Sequence, residues 1–299
     1  MTPPDRSYLV CATPRSGSTL VCKALRDTGV AGRPEEYFEA LRSTGRPRRP
    51  EEYFTGLDDR SIFDELGNPE SRGDATAPPP SWSRTAYDRY LDWTKEAGTT
   101  DNGVFGAKLM WQHLGDFAGL LRGIPAYREL PLPDLLPAAF PNLTFVRVVR
   151  ANKVRQAVSL WKAVQSASWS DAGAATEDDP PYWAFLEEHK PQLRFHYRAI
   201  GHLLEQILAA EASWDAFFEH TRVRPILVLY ENFAADYTTS TLNILERLQL
   251  EIPDDVHIEP QMKSQSDGVN DDWARRFSEL RLGTEFDLVP ARSEQAAPG

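Results

Sequence analysis

The loop Pro14-Arg15-Ser16-Gly17-Ser18-Thr19 gathers the residue types that capture an anion. Gly17 lets the backbone come close to a ligand, Ser16, Ser18 and Thr19 offer hydroxyls, and Arg15 adds a fixed positive charge. Where such a loop opens a helix, the N–H groups of the first turn point at the same anion. The plainer reading is an ordinary strand-to-helix turn with Ser16 or Ser18 as N-cap. A second cationic group lies farther along the chain, at Arg150, Arg155, Ser159, Lys162 and Ser166. At roughly 100° per residue the last four share an arc about 60° wide, while Val154, Ala157, Val158, Trp161 and Val164 form a separate apolar face. That pattern suits a helix with one side in the core and its polar stripe turned either to an anion or to solvent. Two anion sites suggest a ligand with two phosphate groups.

The flanking elements fix where those residues must stand. Tyr8, Leu9, Val10, Cys11 and Ala12 form a short apolar run, typical of a strand buried on both faces. Leu20, Val21, Ala24 and Leu25 then recur at helical spacing, and Gly29 can end that helix in the left-handed conformation. Further strands are predicted at 104–111, 143–149 and 225–230, and helices at about 83–96, 152–167, 181–219, 239–248 and 271–281. A leucine-rich helix followed by a Pro-broken loop is expected over 112–141. The hexapeptide RPEEYF occurs at Arg33–Phe38 and again at Arg49–Phe54, and each copy reads as a loop entering a helix through its proline. Alternating strands and helices predict an α/β fold, a mainly parallel central sheet flanked by helices. Ligands bind beyond the carboxyl ends of such strands, where Arg15, Lys108 and Arg150 would converge. The expected organisation is one domain over 1–283, with a loop-rich insertion at about 56–82 and a disordered tail from 284 to 299.

Composition narrows the classes. The chain has 299 residues and a net charge of −11, which argues against general nucleic-acid binding and requires any anion to be held by local positive charge. Its two cysteines, Cys11 and Cys22, sit at apolar positions and read as reduced core thiols. No apolar run has the length to span a bilayer, and MTPPDRS lacks the features of a signal peptide, so a cytoplasmic location is expected. The six histidines show no ligand spacing, and no metal is expected. The loop lacks the G-x-x-x-x-G-K-[ST] pattern, and Cys11 and Arg15 are too close together for a phosphatase loop.

Taken in order, YLVCATPRSGSTL, TGVAGRPEEYF, NGVFGAKLMW, RQAVSLWKAVQ and DDWARRF resemble the bacterial trehalose 2-sulfotransferase family over residues 8 to 277. The resemblance implies a P-loop-like sulfotransferase fold and the co-substrate 3′-phosphoadenosine 5′-phosphosulfate (PAPS), without a metal. It implies that Ser16, Gly17, Ser18 and Thr19 hold the 5′-phosphate and that Arg15 neutralises the oxygen bridging phosphate and sulfur. Arg150 and Ser159 would hold the 3′-phosphate, in agreement with the helical-wheel position of Ser159, and Glu36 matches the general base. Such a carboxylate would take the acceptor's proton, while Lys108 could help Arg15 stabilise the departing phosphate. His113 is the rival base, because many eukaryotic sulfotransferases use a histidine; Glu35, Glu51 and Glu52 are weaker rivals. The implied acceptor is a carbohydrate or glycosylated small molecule, with Tyr37, Phe38 and Trp111 as candidate sugar platforms. A homodimer is also implied. A non-catalytic nucleotide-binding protein of this fold and a small-molecule kinase remain open as alternatives.

Overall fold

Four strands, β1 (Arg6–Ala12), β2 (Val104–Met110), β3 (Leu143–Val149) and β4 (Ile226–Leu229), form a parallel sheet in the order β2-β1-β3-β4. The structure, a computed structural model, describes residues 4–39, 50–59, 61–64, 66, 82–166, 193–252, 258 and 268–287. Strand β1 is central, and its alternating side chains feed two cores. Leu9 and Cys11 join Phe105, Leu109 and Phe145 on one face, whereas Tyr8 and Val10 join Val146 and Val148 on the other. Helices α1 (Ser18–Asp27), α2 (Ser61–Asp64), α3 (Tyr87–Gly98), α4 (Trp111–Arg122) and α5 (Leu132–Ala139) precede β3. After it come α6 (Lys153–Ser166), α7 (Tyr197–Thr221), α8 (Tyr230–Ala235), α9 (Tyr237–Arg247) and α10 (Gly268–Asp287). The first face is covered by α3, α4, α5 and the Trp214–Phe218 end of α7. The second is covered by α1 and α9. The predicted apolar face of α6 packs on α7 and α10, with Trp161 fully buried against Phe54.

Both cysteines are buried free thiols, as expected. Burial pushes both up, Cys22 to about 12, so neither is a thiolate at neutral pH. Gly29 has φ 72° just past α1, the left-handed C-terminal position assigned to it. Other elements differ from expectation. Residues 193–196 are not helical, so α7 begins at Tyr197 rather than within a continuous 181–219 helix; 181–192 lie outside the described residues. The backbone of Arg194 is taken by α6 instead: its N–H donates to Gln165 Oε1 (2.8 Å) and its carbonyl accepts from Trp161 Nε1 (2.8 Å). His196 Nδ1 then caps the first turn by accepting from Ala199 N (3.2 Å). The region expected as a Pro-broken loop contains α5, whose Pro133 sits in the first turn, where a missing N–H costs nothing. Helix α10 runs to Asp287, past the expected start of the tail, and the rest of that tail lies outside the described residues, as does most of 56–82.

The two RPEEYF copies take different conformations. Pro50–Phe54 forms a 3-10 turn opened by its proline, as predicted. The first copy does not enter a helix. Glu35 bridges in parallel with Ala107, and its carbonyl accepts from Lys108 N (2.9 Å), so the segment lies along the outer edge of β2. Gly32 makes this possible: at φ 68°, a Cβ there would sit 2.6 Å from Gly106 N.

A buried charge cluster lies beneath the carboxyl ends of β1 and β3. Glu211 of α7 accepts from Arg147 Nη2 (2.7 Å) and Thr13 Oγ1 (2.7 Å). Lys153 Nζ lies 3.2 Å from the same carboxylate as an ion pair, off the hydrogen-bonding direction. Gln156 Nε2 donates to Thr13 Oγ1 (2.8 Å) and to Pro14 O (2.7 Å), and Trp214 Nε1 donates to Ala12 O (3.0 Å). Removing one member of a buried ion pair strands the other. Glu211→Ala is therefore expected to cost about 3–5 kcal/mol in urea denaturation, and a loss below about 1 kcal/mol would show that Arg147 finds another acceptor.

Candidate active site

The loop after β1 leaves the sheet at Thr13, whose hydroxyl is fixed between Glu211 and Gln156. It then takes two left-handed residues, Arg15 at φ 61° and Gly17 at φ 91°. The first is strained for a side-chain-bearing residue, by about 1–3 kcal/mol. It is held on two sides: Arg15 Nε donates to Ser159 Oγ (3.0 Å), and Arg15 O accepts from Arg150 Nη1 (3.3 Å). Gly17 is the N-cap of α1 and offers no side chain, so neither Ser16 nor Ser18 is the cap of the plainer reading. A Cβ at Gly17 would lie 2.1 Å from Tyr230 Cδ2, which makes glycine obligatory for contact as well as for φ. Ser16 and Ser18 are buried and Thr19 is exposed; Ser16 Oγ has no hydrogen-bond partner.

Arg150, one residue beyond β3, reaches the same loop. Its guanidinium stacks 4.9 Å from the centre of the Tyr230 ring, and its buried Nε has no hydrogen-bond partner. Burial lowers its pKa; Tyr230 and Glu231 oppose that shift in part, and the smaller effects of Arg15 and Arg155 add to it. The guanidinium is thus charged in a place where burial disfavours its charge, which an anion would relieve. The α6 stripe divides: Ser159 turns to Arg15, whereas Arg155 pairs with Asp271 at the start of α10, the DDWARRF segment.

On the other side of the loop, Lys108 Nζ lies 3.3 Å from Thr19 Oγ1 and 2.9 Å from Glu36 Oε2. Burial alone would lower the Lys108 pKa, but Glu36 and its hydrogen bond, Cys22 and Glu35 outweigh it and raise the value. His113 Nε2, from the first turn of α4, stands 3.9 Å from Glu36 Oε1. Arg15, Ser159 and Arg150 therefore meet at one side of the loop, and Lys108, Glu36 and His113 at the other. Among the described residues no group of three His, Cys, Asp or Glu could hold a metal, and no helix is long and apolar enough to cross a membrane.

Residues 7–279 match the Stf0 sulphotransferase family. The chain belongs to that family. A trehalose 2-sulfotransferase of Mycobacterium tuberculosis is 32% identical over 281 residues, which is 91% of this chain and 94% of that one. One from Mycolicibacterium smegmatis is 30% identical over 274 residues, with the same two shares, 91% and 94%. Among solved structures, a sulfotransferase from Mycobacterium avium aligns over 93% of this chain and 69% of that one, at 12% identity and a TM-score of 0.41.

The sulfotransferase places the other candidates less centrally. Glu35 pairs with Arg26, and Glu51 and Glu52 open the separate 3-10 turn. Phe38 is a core residue, stacked 4.1 Å from Phe117 and 2% exposed, so it is no sugar platform. Tyr37 donates its hydroxyl to Arg33 O (2.8 Å), and Trp111 packs edge-on to Trp214. Sequence reasoning missed Tyr230, Glu231 and Glu39. The first two follow a strand with no motif of their own, and Glu39 is one more acid after EEYF. Burial and the neighbouring Glu36 push Glu39 up to about 7, partly opposed by Lys108.

A carboxyl whose pKa is raised on folding binds more protons folded than unfolded, so it costs stability as pH rises from its unfolded value to its folded one. Glu39→Gln removes that cost. Relative to the parent, the variant is expected to gain about 2–3 kcal/mol between pH 5 and pH 8 in urea denaturation. A constant difference across that range would refute the shift.

Proposed function

We propose that this sulfotransferase moves a sulfuryl group from PAPS to a hydroxyl of a sugar, with trehalose as the leading acceptor and Glu36 as the base. The observation that carries the reading is Lys108, one buried cation within 3.3 Å of the loop and 2.9 Å of the carboxylate. The residues present fit a nucleotide phosphorylated at both 3′ and 5′ positions. The first turn of α1 has no side-chain cap, Ser16 Oγ and Arg150 Nε are buried donors without partners, and Arg15 and Ser159 lie between them. On this reading Ser16, Gly17, Ser18, Thr19 and Arg15 hold the 5′ end, and Arg150 and Ser159 the 3′ end. When bound, PAPS supplies an activated sulfuryl group. Trehalose is favoured by the names of the two mycobacterial relatives.

Glu36 is the better base because the acceptor must reach it. Its side chain is 34% exposed, against 6% for His113, which lies behind it. Lys108 engages Oε2 and leaves Oε1 to accept the proton of the acceptor hydroxyl. The imidazole of His113 flanks Oε1 and limits where that carboxylate can swing. Arg15 and Lys108 keep positive charge at the loop, where negative charge grows during transfer.

Sulfur-labelled PAPS should label trehalose in the presence of the protein. Labelling of no sugar in a broad panel, together with no binding of adenosine 3′,5′-bisphosphate, would sink the proposal. Glu36→Gln should lower kcat by about 10²–10⁴-fold and leave bisphosphate affinity within about threefold. If His113→Ala shows that loss and Glu36→Gln does not, the base is the histidine.

A further inference from the structure

The two anion sites are held together by a dipeptide outside both of them. Tyr230 and Glu231 begin α8 immediately after β4. The Tyr230 ring covers Gly17 of the loop, close enough that a Cβ there would clash at 2.1 Å. The same ring carries the Arg150 guanidinium at 4.9 Å. Glu231 clamps the turn that follows Arg150: its carboxylate accepts from Ala151 N at 3.0 and 3.1 Å and from Asn152 N at 3.2 Å. Burial opposes the Glu231 charge, but those N–H groups and Arg150 outweigh it and hold the carboxyl below its usual range.

We propose that Tyr230 and Glu231 are positioning residues that fix Arg150 against the Gly17 loop, and so make tight binding depend on two anionic groups carried by one ligand. The inference rests on the donor reading above and names the residues that set its selectivity. The loop has supports besides Arg150, since Gln156 holds Thr13 and Pro14, Ser16 N donates to Thr13 O (3.3 Å) and Arg15 Nε donates to Ser159 Oγ (3.0 Å). Arg150 depends more on the pair. Beyond the Arg15 carbonyl, its named support is the Tyr230 face and the turn clamped by Glu231. Without the ring the guanidinium regains rotational freedom, and ordering it falls to the ligand. The penalty then appears only for a ligand that uses Arg150.

Isothermal titration calorimetry with adenosine 3′,5′-bisphosphate and adenosine 5′-monophosphate reads this directly. The parent protein should prefer the bisphosphate by on the order of a hundredfold. Tyr230→Leu should reduce that preference at least about tenfold, through weaker bisphosphate binding, while monophosphate affinity stays within about threefold. Tyr230→Phe, which keeps the ring, should restore the preference. Glu231→Ala should reduce it, and Glu231→Gln, which retains one carbonyl acceptor, should reduce it less. The Glu231 variants and Tyr230→Phe decide the matter if Tyr230→Leu does not fold. An unchanged preference in Tyr230→Leu and Glu231→Ala, or equal losses for both nucleotides, overturns the inference and leaves the donor reading standing. Failure of the parent to bind either nucleotide overturns both.

Discussion

A carboxylate buried below the sheet's carboxyl edge dictates much of what surrounds it. Glu211 is 8% exposed, and a carboxylate so placed is tolerated only if hydrogen-bond donors or positive charges converge on it. They come from separate elements: Arg147 on β3, Thr13 at the end of β1 and Lys153 at the start of α6. Thr13 lies 198 residues from Glu211 in the chain, so this contact closes the fold over most of its length. Satisfying Glu211 fixes Thr13; Thr13 Oγ1 and Pro14 O both accept from Gln156 Nε2, and the start of the loop has little freedom left. A loop with such a floor can keep Arg15 in a left-handed conformation that isolated chemistry disfavours.

The same economy governs the acids near the loop, in a chain whose net charge is −11. Glu231 is occupied by backbone N–H groups, Asp271 by Arg155, Glu36 by Lys108 and Glu211 by the floor. With those four carboxylates committed elsewhere, Arg15 and Arg150 meet at the loop, where Arg150 Nη1 donates to Arg15 O (3.3 Å). Burial strengthens their potential because it removes the water that would screen it. Arg150 shows the tension directly, since burial works against its charge more than Tyr230 and Glu231 support it.

How much of this the sequence discloses depends on how local the cause is. The β1–loop–α1 unit was legible because strand run, glycine and helix period are adjacent in the chain. The face of α6 that carries Ser159 was legible for the same reason. The fate of Arg155 was not, because its partner Asp271 lies 116 residues away. The two RPEEYF copies show the limit most clearly, since identical hexapeptides give a 3-10 turn in one place and, in the other, a segment that bridges to β2 at Glu35 and turns at Tyr37–Phe38. Local propensity cannot separate them; the open edge of β2 does. Tyr230 was hidden differently: its role comes from a glycine and an arginine on two other elements, neither near it in sequence.

That edge of β2 also explains why Glu36 was visible only through family resemblance. An edge strand exposes unpaired backbone groups, and here Glu35 covers them by accepting from Lys108 N. The approach requires glycine at 32, because any Cβ would meet the backbone of Gly106. Gly106 is itself forced, since the Tyr8 hydroxyl occupies the space of its side chain at 2.6 Å. Once Glu35 is paired, the next residue is brought to the side chain of the same lysine, and Glu36 meets Lys108 at 2.9 Å. Lys108 lies opposite Val10 in the β1–β2 register, which brings its ammonium within reach of Thr19 in α1. The position of the carboxylate relative to the anion loop is therefore a property of sheet register and of two glycines. Pattern reading along the chain sees each of these residues and has no access to the register that joins them.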